Sequence, residues 1–234
     1  MAQDKLQSYR ERYQDYTDHF AEQRKRMLED LRFSNPADPQ QWDDETRNAR
    51  RNAAGGARPT LTFDHTNQYI MQVVNDARQN KPGIQVLPVD SGADIQTAQS
   101  IEGMIRQIEY TSRASIAYDT AIEHAARCGQ GWMRVVTEMV NPALNEQDLR
   151  IKQVHDPLSV WISPESVEPD GSDASDGFVE TIMSIASFEK QYGKRKAQTS
   201  WDNRSGGGWE SDKTIRVCEH YKLRTSKSNR LQVQ

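Results

Sequence analysis

Apolar residues in the first half of the chain recur at helical spacing. Residues 4–32 carry a narrow stripe at three- and four-residue steps, expected to pack against one neighbouring helix. Helices are also predicted over 40–54 and 62–80, and one long helix from Ile95 to Cys128 weakens at 110–115. Between them, 84–89 reads as a short edge strand, and Ser91 with Asp94 resembles a helix-capping box.

The second half changes to the alternating pattern of strands. Residues 131–140 and 148–155 predict an antiparallel hairpin, followed by a strand, an acidic loop and a second strand at 178–185. Ser187 is expected to cap a short helix that stops at Gly193, after which 194–213 forms a polar excursion. Segments 214–225 and 230–234 predict a final hairpin whose short second strand suggests a fragment of a longer polypeptide.

Helices followed by an antiparallel sheet predict an α+β fold. We expect an N-terminal helical region over 1–60 and an α+β region over 61–234. Leu, Ile, Val and Phe total 41 of 234 residues, below about one fifth, which predicts a thin core stabilised either by more of the same chain or by other subunits. Thirty basic and 34 acidic residues are interleaved, which argues against a dedicated nucleic-acid-binding domain. No apolar run approaches the ~18 residues of a membrane span, and two cysteines suit a reducing cytoplasm.

The stretch "EHAARCGQGW" (123–132) offers the strongest catalytic candidates. His124 and Cys128 lie one helical turn apart, and with Cys218 and His220 they could also form a zinc site. However, the C-terminal end of a helix disfavours a thiolate, and neither pair has common zinc spacing. We therefore favour a helix-to-strand joint, in which small residues pack closely and glycines end the helix, over a Cys/His-dependent enzyme or zinc protein. Its residues are His124, Cys128, Gly129, Gly131 and Trp132.

The remaining polar clusters do not match a known chemical site. No phosphate-binding glycine motif occurs, so ATP hydrolysis is not expected, and the acidic loop lacks the EF-hand spacing of calcium ligands. We predict no catalytic, metal-binding or cofactor-binding residue and no cofactor. The charged clusters are interpreted as solvated faces or as contacts with a subunit or partner, with these interface candidates: Trp42, Arg47, Arg50, Arg51, Asp170 and Asp173.

Four segments in order resemble the N-terminal half of portal proteins of short-tailed double-stranded-DNA bacteriophages. They are "ARPTLTFDHTNQYIMQVVNDARQNKPGIQVLPVD", "AYDTAIEHAARCGQGWMRVV", "DPLSVWISPESVEPDGSDASDG" and "SFEKQYG". The resemblance covers roughly residues 40–225, and the order of the segments is more specific than any one of them. Ser163 before Pro164 departs from the pattern, where an acidic residue is expected.

The resemblance implies a structural, noncatalytic subunit of a ring, typically of twelve copies, at one capsid vertex. Such a ring forms the conduit for genome packaging and ejection and connects head to tail. Its partners would be capsid and scaffolding proteins, terminase, tail or adaptor proteins, and double-stranded DNA that passes without sequence-specific binding; no membrane is implied. The protein would be assembled in the host bacterial cytoplasm and reside in the virion. Residues 61–234 would correspond to the peripheral wing, with the stem, the clip and the C-terminal parts beyond Gln234. A head–tail adaptor or minor virion protein is a further alternative.

Overall fold

The computed structural model describes residues 2–37, 40–80, 83–88, 94–141, 145–168, 170–193, 213–225 and 231–233. Its helices are α1 (Ala2–His19), α2 (Ala21–Phe33), α3 (Asp44–Arg51), α4 (Thr66–Gln79), α5 (Ile95–Ser112), α6 (Ala114–Cys128) and α7 (Ile185–Tyr192). Its strands are β1 (Met133–Asn141), β2 (Glu146–Gln153), β3 (Val160–Ile162), β4 (Asp176–Ser184), β5 (Thr214–Thr225) and β6 (Leu231–Val233). The fold is α+β, as predicted.

The chain forms two compact units. One comprises residues 1–21 and 158–234, and we call it the sheet unit; the other comprises residues 22–157, the helical unit. The chain passes from one unit to the other after residue 21 and again after residue 157, and the predicted boundary at residue 60 coincides with neither position. The polar excursion predicted at 194–213 lies, except for Lys213, outside the described residues.

Two predicted helices are each divided in the structure. The stripe over 4–32 runs through α1 and α2, which separate at Phe20, so the single long helix was wrong. Because α1 falls in the sheet unit and most of α2 in the helical unit, the two parts of the stripe pack against different partners. The weakening at 110–115 corresponds to the junction of α5 and α6, where Arg113 adopts a left-handed conformation with φ 52°.

Side-chain caps fix several helix ends, although not always the predicted ones. The Asp94 carboxylate accepts the Gln96 N–H at 3.1 Å and caps α5 itself, while Ser91 lies outside the described residues. The Ser184 hydroxyl accepts the Ser187 N–H at 3.1 Å, so Ser184 rather than Ser187 is the cap of α7. Gly193 ends α7 as expected, at φ 86°.

The helical unit packs α4 against α6 and places the β1–β2 hairpin beside α5 and α6. Ile70 and Val74 on α4 and Ala114 and Ala117 on α6 are buried. The hairpin predicted over 131–155 is confirmed, with Val135 opposite Ile151 and a register shift beyond Met139 in β1; its connecting residues 142–144 lie outside the described ones. The predicted strand at 84–89 is wrong for its described residues 84–88, which pair with no described strand.

The sheet unit contains an antiparallel sheet in the order β3–β4–β5–β6. The β5–β6 pairing confirms the final predicted hairpin. Helix α1 packs its tyrosines on one face of this sheet, and the buried cluster consists of Tyr13, Tyr16, Trp161 and Phe178. The aromatic stripe of the N-terminal helix therefore packs against a sheet, and the expectation of a neighbouring helix was wrong.

Candidate functional site

The most elaborate polar arrangement surrounds Asp176, the first residue of β4, whose side chain is only 1% exposed. Arg12 of α1 binds both carboxylate oxygens, with Nε 2.5 Å from Oδ2 and Nη2 2.7 Å from Oδ1. Tyr16 donates its hydroxyl to Oδ1 at 2.6 Å, and His220 Nε2 lies 3.0 Å from Oδ2. Burial alone would raise the pKa of Asp176, but the hydrogen bonds from these three residues outweigh it and hold that pKa well below its ordinary range.

A second carboxylate, that of Glu180, follows four residues after Asp176 in β4. Because side chains in a strand alternate between its two faces, both carboxylates lie on the same face. Its Oε1 accepts the Tyr13 hydroxyl at 2.5 Å and the indole N–H of Trp161, and Arg216 Nη1 lies 3.5 Å from Oε2. Burial, reinforced by the bond to Glu180, raises the pKa of Tyr13 far above its ordinary value. Both carboxylates therefore join the α1 helix to strands of the sheet.

Phe178 fills the space between the two carboxylates and is 2% exposed. Its ring makes edge-on contacts with Tyr13 and Tyr16, at centroid distances of 5.6 and 5.1 Å, and stacks on His220 at 4.5 Å. Burial, followed by the charge of Glu180, raises the pKa of the nearby Cys218 thiol to about 12. This arrangement holds a helix on a sheet and offers no activated nucleophile.

Sequence reasoning did not single out this cluster. Asp176 stands at the end of the acidic loop in the sequence, and no motif points to Arg12. The available signal was the alternation Asp176-x-Phe178-x-Glu180 on one strand, which places two charged residues and an aromatic ring on one face. Arg12 and Tyr16 of α1 lie 164 and 160 positions from Asp176 in sequence, so spacing alone could not identify them.

In the helical unit, the predicted helix-to-strand joint has the geometry of a tight turn. Gly129 follows α6 with φ 82° and donates its N–H to the Ala125 carbonyl at 2.9 Å, closing the helix with a left-handed residue. A Cβ placed on Gly131 would lie 1.7 Å from the Ala121 carbonyl oxygen. The backbone at Gly131 therefore lies against α6 at a distance that only glycine permits.

The thiol at this joint is not paired with its neighbouring imidazole. Cys128 Sγ lies 3.2 Å from the backbone carbonyl of His124 and 3.5 Å from that of Gln130. Burial raises the pKa of Cys128 and lowers that of His124, so both groups favour their neutral forms. The Nδ1 of His124 and the indole Nε1 of Trp132 are buried without a hydrogen-bond partner among the described residues.

The zinc arrangement considered from the sequence divides between the two units, with His124 and Cys128 in one and Cys218 and His220 in the other. Within the described parts of the chain, no group of three or more His, Cys, Asp or Glu side chains is placed to hold a metal ion.

Arg127, which the sequence did not single out, organises the same region. Its side chain is 8% exposed, and Nε donates to Glu123 Oε1 at 3.0 Å. Nη2 donates to Asn67 Oδ1 at 2.9 Å, and Nη1 donates to the backbone carbonyl of Ser34. One guanidinium thus ties α6 to the start of α4 and to the end of α2. The i, i+4 spacing of Glu123 and Arg127 predicts only the first of these contacts.

The predicted interface residues around α3 are bound to their own segment. The Arg50 guanidinium lies 4.9 Å from the centre of the Trp42 ring and donates to the Pro59 carbonyl at 3.0 Å. Arg47 donates to the Trp42 carbonyl at 3.2 Å, and Arg51 is exposed at the end of α3. The cluster closes the segment around α3 while leaving a charged surface.

The acidic candidates lie in a different unit and stabilise a loop. Asp173 accepts hydrogen bonds from the Ser166 hydroxyl at 2.6 Å and the Val167 N–H at 2.7 Å, and Asp170 accepts the Ser172 N–H at 3.0 Å. These bonds lower the pKa of both carboxyls. Both carboxylates are therefore bound within their own loop.

Comparison with known proteins covers both units. The family of phage P22-like portal proteins has a model that matches residues 10–233. The chain belongs to that family. The portal protein of Acyrthosiphon pisum secondary endosymbiont phage 1 is 23% identical over 176 residues, which are 71% of this chain and 24% of that protein. This portal chain thus spans about a quarter of the length of that relative.

Membership confirms the resemblance carried by the ordered segments. The portal family is structural and non-enzymatic, and phage portal proteins are virion components. Among the described residues of the portal chain, no helix combines the length and hydropathy of a membrane span.

Proposed function

We propose that this portal chain is part of a ring-shaped subunit assembly, typically of twelve copies, at one vertex of the capsid. The ring serves as the conduit for genome packaging and ejection and connects the head to the tail. Within the subunit, residues 61–234 form the wing. The observation that carries the proposal is the match to the portal family over residues 10–233, which spans both compact units.

The polar cluster of the sheet unit supports a structural role. A subunit through which DNA is driven must keep its elements in fixed positions. Helix α1 is fixed by a bidentate ion pair from the partly exposed Arg12 to the buried Asp176 and by hydrogen bonds from Tyr13 and Tyr16 to two carboxylates. Charge-assisted and bidentate bonds of this kind are directional, so they define one position of the helix on the sheet.

The charge distribution supports passage of DNA without sequence-specific binding. Nonspecific affinity for DNA comes from cationic groups that contact phosphates. The net charge is −4, and in the α3 cluster Arg47 and Arg50 already donate hydrogen bonds to backbone carbonyls of their own segment. Weak, scattered contacts favour sliding over stable binding.

The proposed partners are further copies of the chain, capsid and scaffolding proteins, terminase, and tail or adaptor proteins. For contacts between copies we retain the exposed charged surface of the α3 cluster, with Trp42 and Arg51, and the loop that contains Asp170 and Asp173. Each loop or cluster is held by its own internal bonds, so it presents a preformed surface rather than one that must order on binding.

The principal alternative, a cysteine- or zinc-dependent enzyme, finds little support in the geometry. Activation of Cys128 would need a base that accepts the thiol proton, whereas its Sγ is directed to backbone carbonyls and its pKa is raised by burial. The other alternative is a head–tail adaptor or minor virion protein, which would also be an oligomeric part of the virion. Binding of terminase distinguishes the two, because a portal binds it and an adaptor does not.

Two measurements test the proposal. Antibody-directed gold labelling of intact particles should mark one vertex of each capsid, whereas label over the whole shell or none on particles would overturn the vertex assignment. In complementation of a phage lacking the gene, a Cys128→Ala protein should restore DNA-filled heads. Loss of filled heads with normal folding of that variant would favour the enzyme instead. Binding of terminase by wild-type particles lacking tails distinguishes a portal from an adaptor.

A further inference from the structure

A small cavity lies in the helical unit where the junction of α5 and α6 meets the end of β2. Its volume is about 300 Å³, at the lower end of the range for small-ligand sites. The chain turns from α5 into α6 at Ser112 and Arg113, which line the cavity and belong to the stretch where the helical pattern weakens. None of the described residues that line it is acidic. An anionic group can therefore enter the cavity without meeting a like charge in its wall.

Part of the cavity wall is aliphatic. Ala117 of α6 is 3% exposed, Ile116 beside it is 50% exposed, and Ile151 of β2 joins them. Because side chains in a strand alternate, Ile151 and Gln153 lie on the same face of β2. That face is turned towards α6, since the Thr120 hydroxyl donates to Gln153 Oε1 at 3.1 Å. A ligand that fills this cavity therefore needs an apolar body, which an inorganic ion lacks.

Three side chains at the cavity supply hydrogen-bond donors. Gln153 accepts the Thr120 hydroxyl with its oxygen, so its amide nitrogen is left to donate, and this nitrogen lies 3.2 Å from Nε2 of His155. A neutral imidazole that accepts one N–H keeps a donor on its other nitrogen. Arg113 adds a permanent positive charge and makes no side-chain bond to another described residue. The donors and the charge together favour an anion.

The backbone of Arg113 has a conformation that disfavours arginine. With φ 52° and ψ 46° it is left-handed, a conformation that glycine adopts readily and other residues adopt rarely. Its N–H donates to the Tyr110 carbonyl at 3.1 Å and its carbonyl accepts the Ile116 N–H at 3.0 Å, so the turn is held by backbone bonds alone. An unfavourable backbone conformation is typical of functional positions. The arginine side chain is therefore not explained by the turn itself.

Lys152 also lines the cavity but supplies no free charge to it. Alternation along β2 places its side chain on the face opposite Ile151 and Gln153. On that face its Nζ lies 3.1 Å from Oε1 of Glu138. Lys152 therefore contributes backbone atoms to the cavity and serves as the matched control for Arg113.

We propose that this cavity binds a carboxylate joined to an aliphatic body, as found in the C-terminal residue of a polypeptide or in a short fatty acid. The planar guanidinium of Arg113 matches a carboxylate in a bidentate pair. Gln153 and His155 donate to the same group, and the aliphatic body covers Ile116 and Ala117. The cavity lies within one compact unit, so the binding does not depend on the proposed ring.

Probe molecules separate the parts of the ligand in titrations of the nitrogen-15-labelled chain, followed by amide chemical shifts. N-acetyl-leucine should bind with a dissociation constant on the order of 1 mM and shift the amides of Ile151 and Gln153. N-acetyl-leucinamide lacks the charge and acetate lacks the aliphatic body, so each should bind at least about tenfold more weakly. Equal affinity for the acid and its amide, or shifts confined to other parts of the chain, would overturn the proposal.

Hexanoate compares the two sources of such a carboxylate. Tighter binding of N-acetyl-leucine than of hexanoate assigns the site to the end of a polypeptide, and tighter binding of hexanoate assigns it to a fatty acid. Absence of binding by both refutes the site.

Arg113→Gly removes the guanidinium while favouring the turn. Glycine adopts the left-handed conformation more readily, so the thermal midpoint should not fall, whereas N-acetyl-leucine should bind at least about tenfold more weakly. Arg113→Asn, at the other residue type that tolerates this conformation, provides a second variant with the same expected loss. Lys152→Gln should bind N-acetyl-leucine as the wild-type chain does. Retained affinity in a folded Arg113 variant, or an equal loss in Lys152→Gln, would show that Arg113 does not hold the ligand.

Discussion

Replacing Asp176 by Asn tests whether the buried carboxylate holds α1 on the sheet. The amide keeps the size of the side chain but removes the charge that Arg12 and the Tyr16 hydroxyl bind. Removing one member of a buried ion pair costs about 3–5 kcal/mol. The Arg12 side chain is partly exposed and its charge can be hydrated after the change, so we expect the lower end, about 3 kcal/mol.

Urea unfolding, monitored through hydrogen exchange of the backbone amides in α1 and β4, measures the loss of unfolding free energy in the sheet unit. With a urea dependence of about 2 kcal/mol per molar, the midpoint of the sheet unit should fall by about 1.5 M. Asp170→Asn, in the exposed loop of the same unit, should leave that midpoint unchanged. A fall no larger than that of the control would show that Asp176 does not hold the helix.

The stability that Asp176 contributes should depend on pH, and Asp176→Asn should lack this dependence. The folded pKa of Asp176 lies below its ordinary value of about 3.9, so its contribution is complete above that pH and is lost as the pH falls towards the folded pKa. The wild-type protein should therefore lose unfolding free energy faster than Asp176→Asn on acidification below about pH 4. Parallel acid profiles would contradict the assigned hydrogen bonds.

Three further predictions concern the unfolding free energy, the yield of soluble protein and the stability at high pH. Phe178→Ala should lower the unfolding free energy by about 3–5 kcal/mol in the same urea assay, because it empties the centre of the aromatic cluster, whereas Val167→Ala at a side chain 87% exposed should have little effect. Gly131→Ala should abolish soluble expression, since its Cβ would overlap a carbonyl of α6, and Gly83→Ala, which has open space, should be tolerated; equal yields would disprove the close approach. Burial and the bond to Asp176 raise the pKa of Tyr16 to about 12, so stability should be lost as pH rises from about 10 towards 12. The phenolate signal at 295 nm of the wild-type protein minus that of Tyr16→Phe reports Tyr16 alone, and a difference that rises with an unperturbed pKa before unfolding would argue against this result.

The elements that depend on local pattern were predicted well. Strand alternation identified the β1–β2 and β5–β6 hairpins because short connections force consecutive strands to pair. Acidic residues at the start and arginines at the end identified α3, and helical spacing of apolar residues identified α4. The weak stretch at 110–115 marked the junction of α5 and α6. Gly129 was recognisable because a left-handed residue after a helix is usually glycine.

The elements that depend on distant partners were not predicted. The strand expected at 84–89 had suitable residues, but strand formation requires a neighbouring strand, and none of the described strands pairs with residues 84–88. Whether the stripe of α1 packs on a helix or a sheet is decided by β4, far along the chain. Arg127 could not be recognised for a similar reason, since two of its three partners, Ser34 and Asn67, lie 93 and 60 positions away.

The buried carboxylates explain how a chain with few aliphatic residues fixes a helix. Apolar packing alone would permit α1 to slide or rotate on the sheet, because rings such as Tyr13 and Phe178 can contact each other in several ways. Asp176 and Glu180 lie on one face of β4, and each is bound from α1 by a directional donor. Rotation of α1 by one residue would withdraw all of these donors together and leave two buried charges without them. A buried ion pair often contributes little net stability compared with apolar packing, so its effect here lies in excluding other positions of the helix.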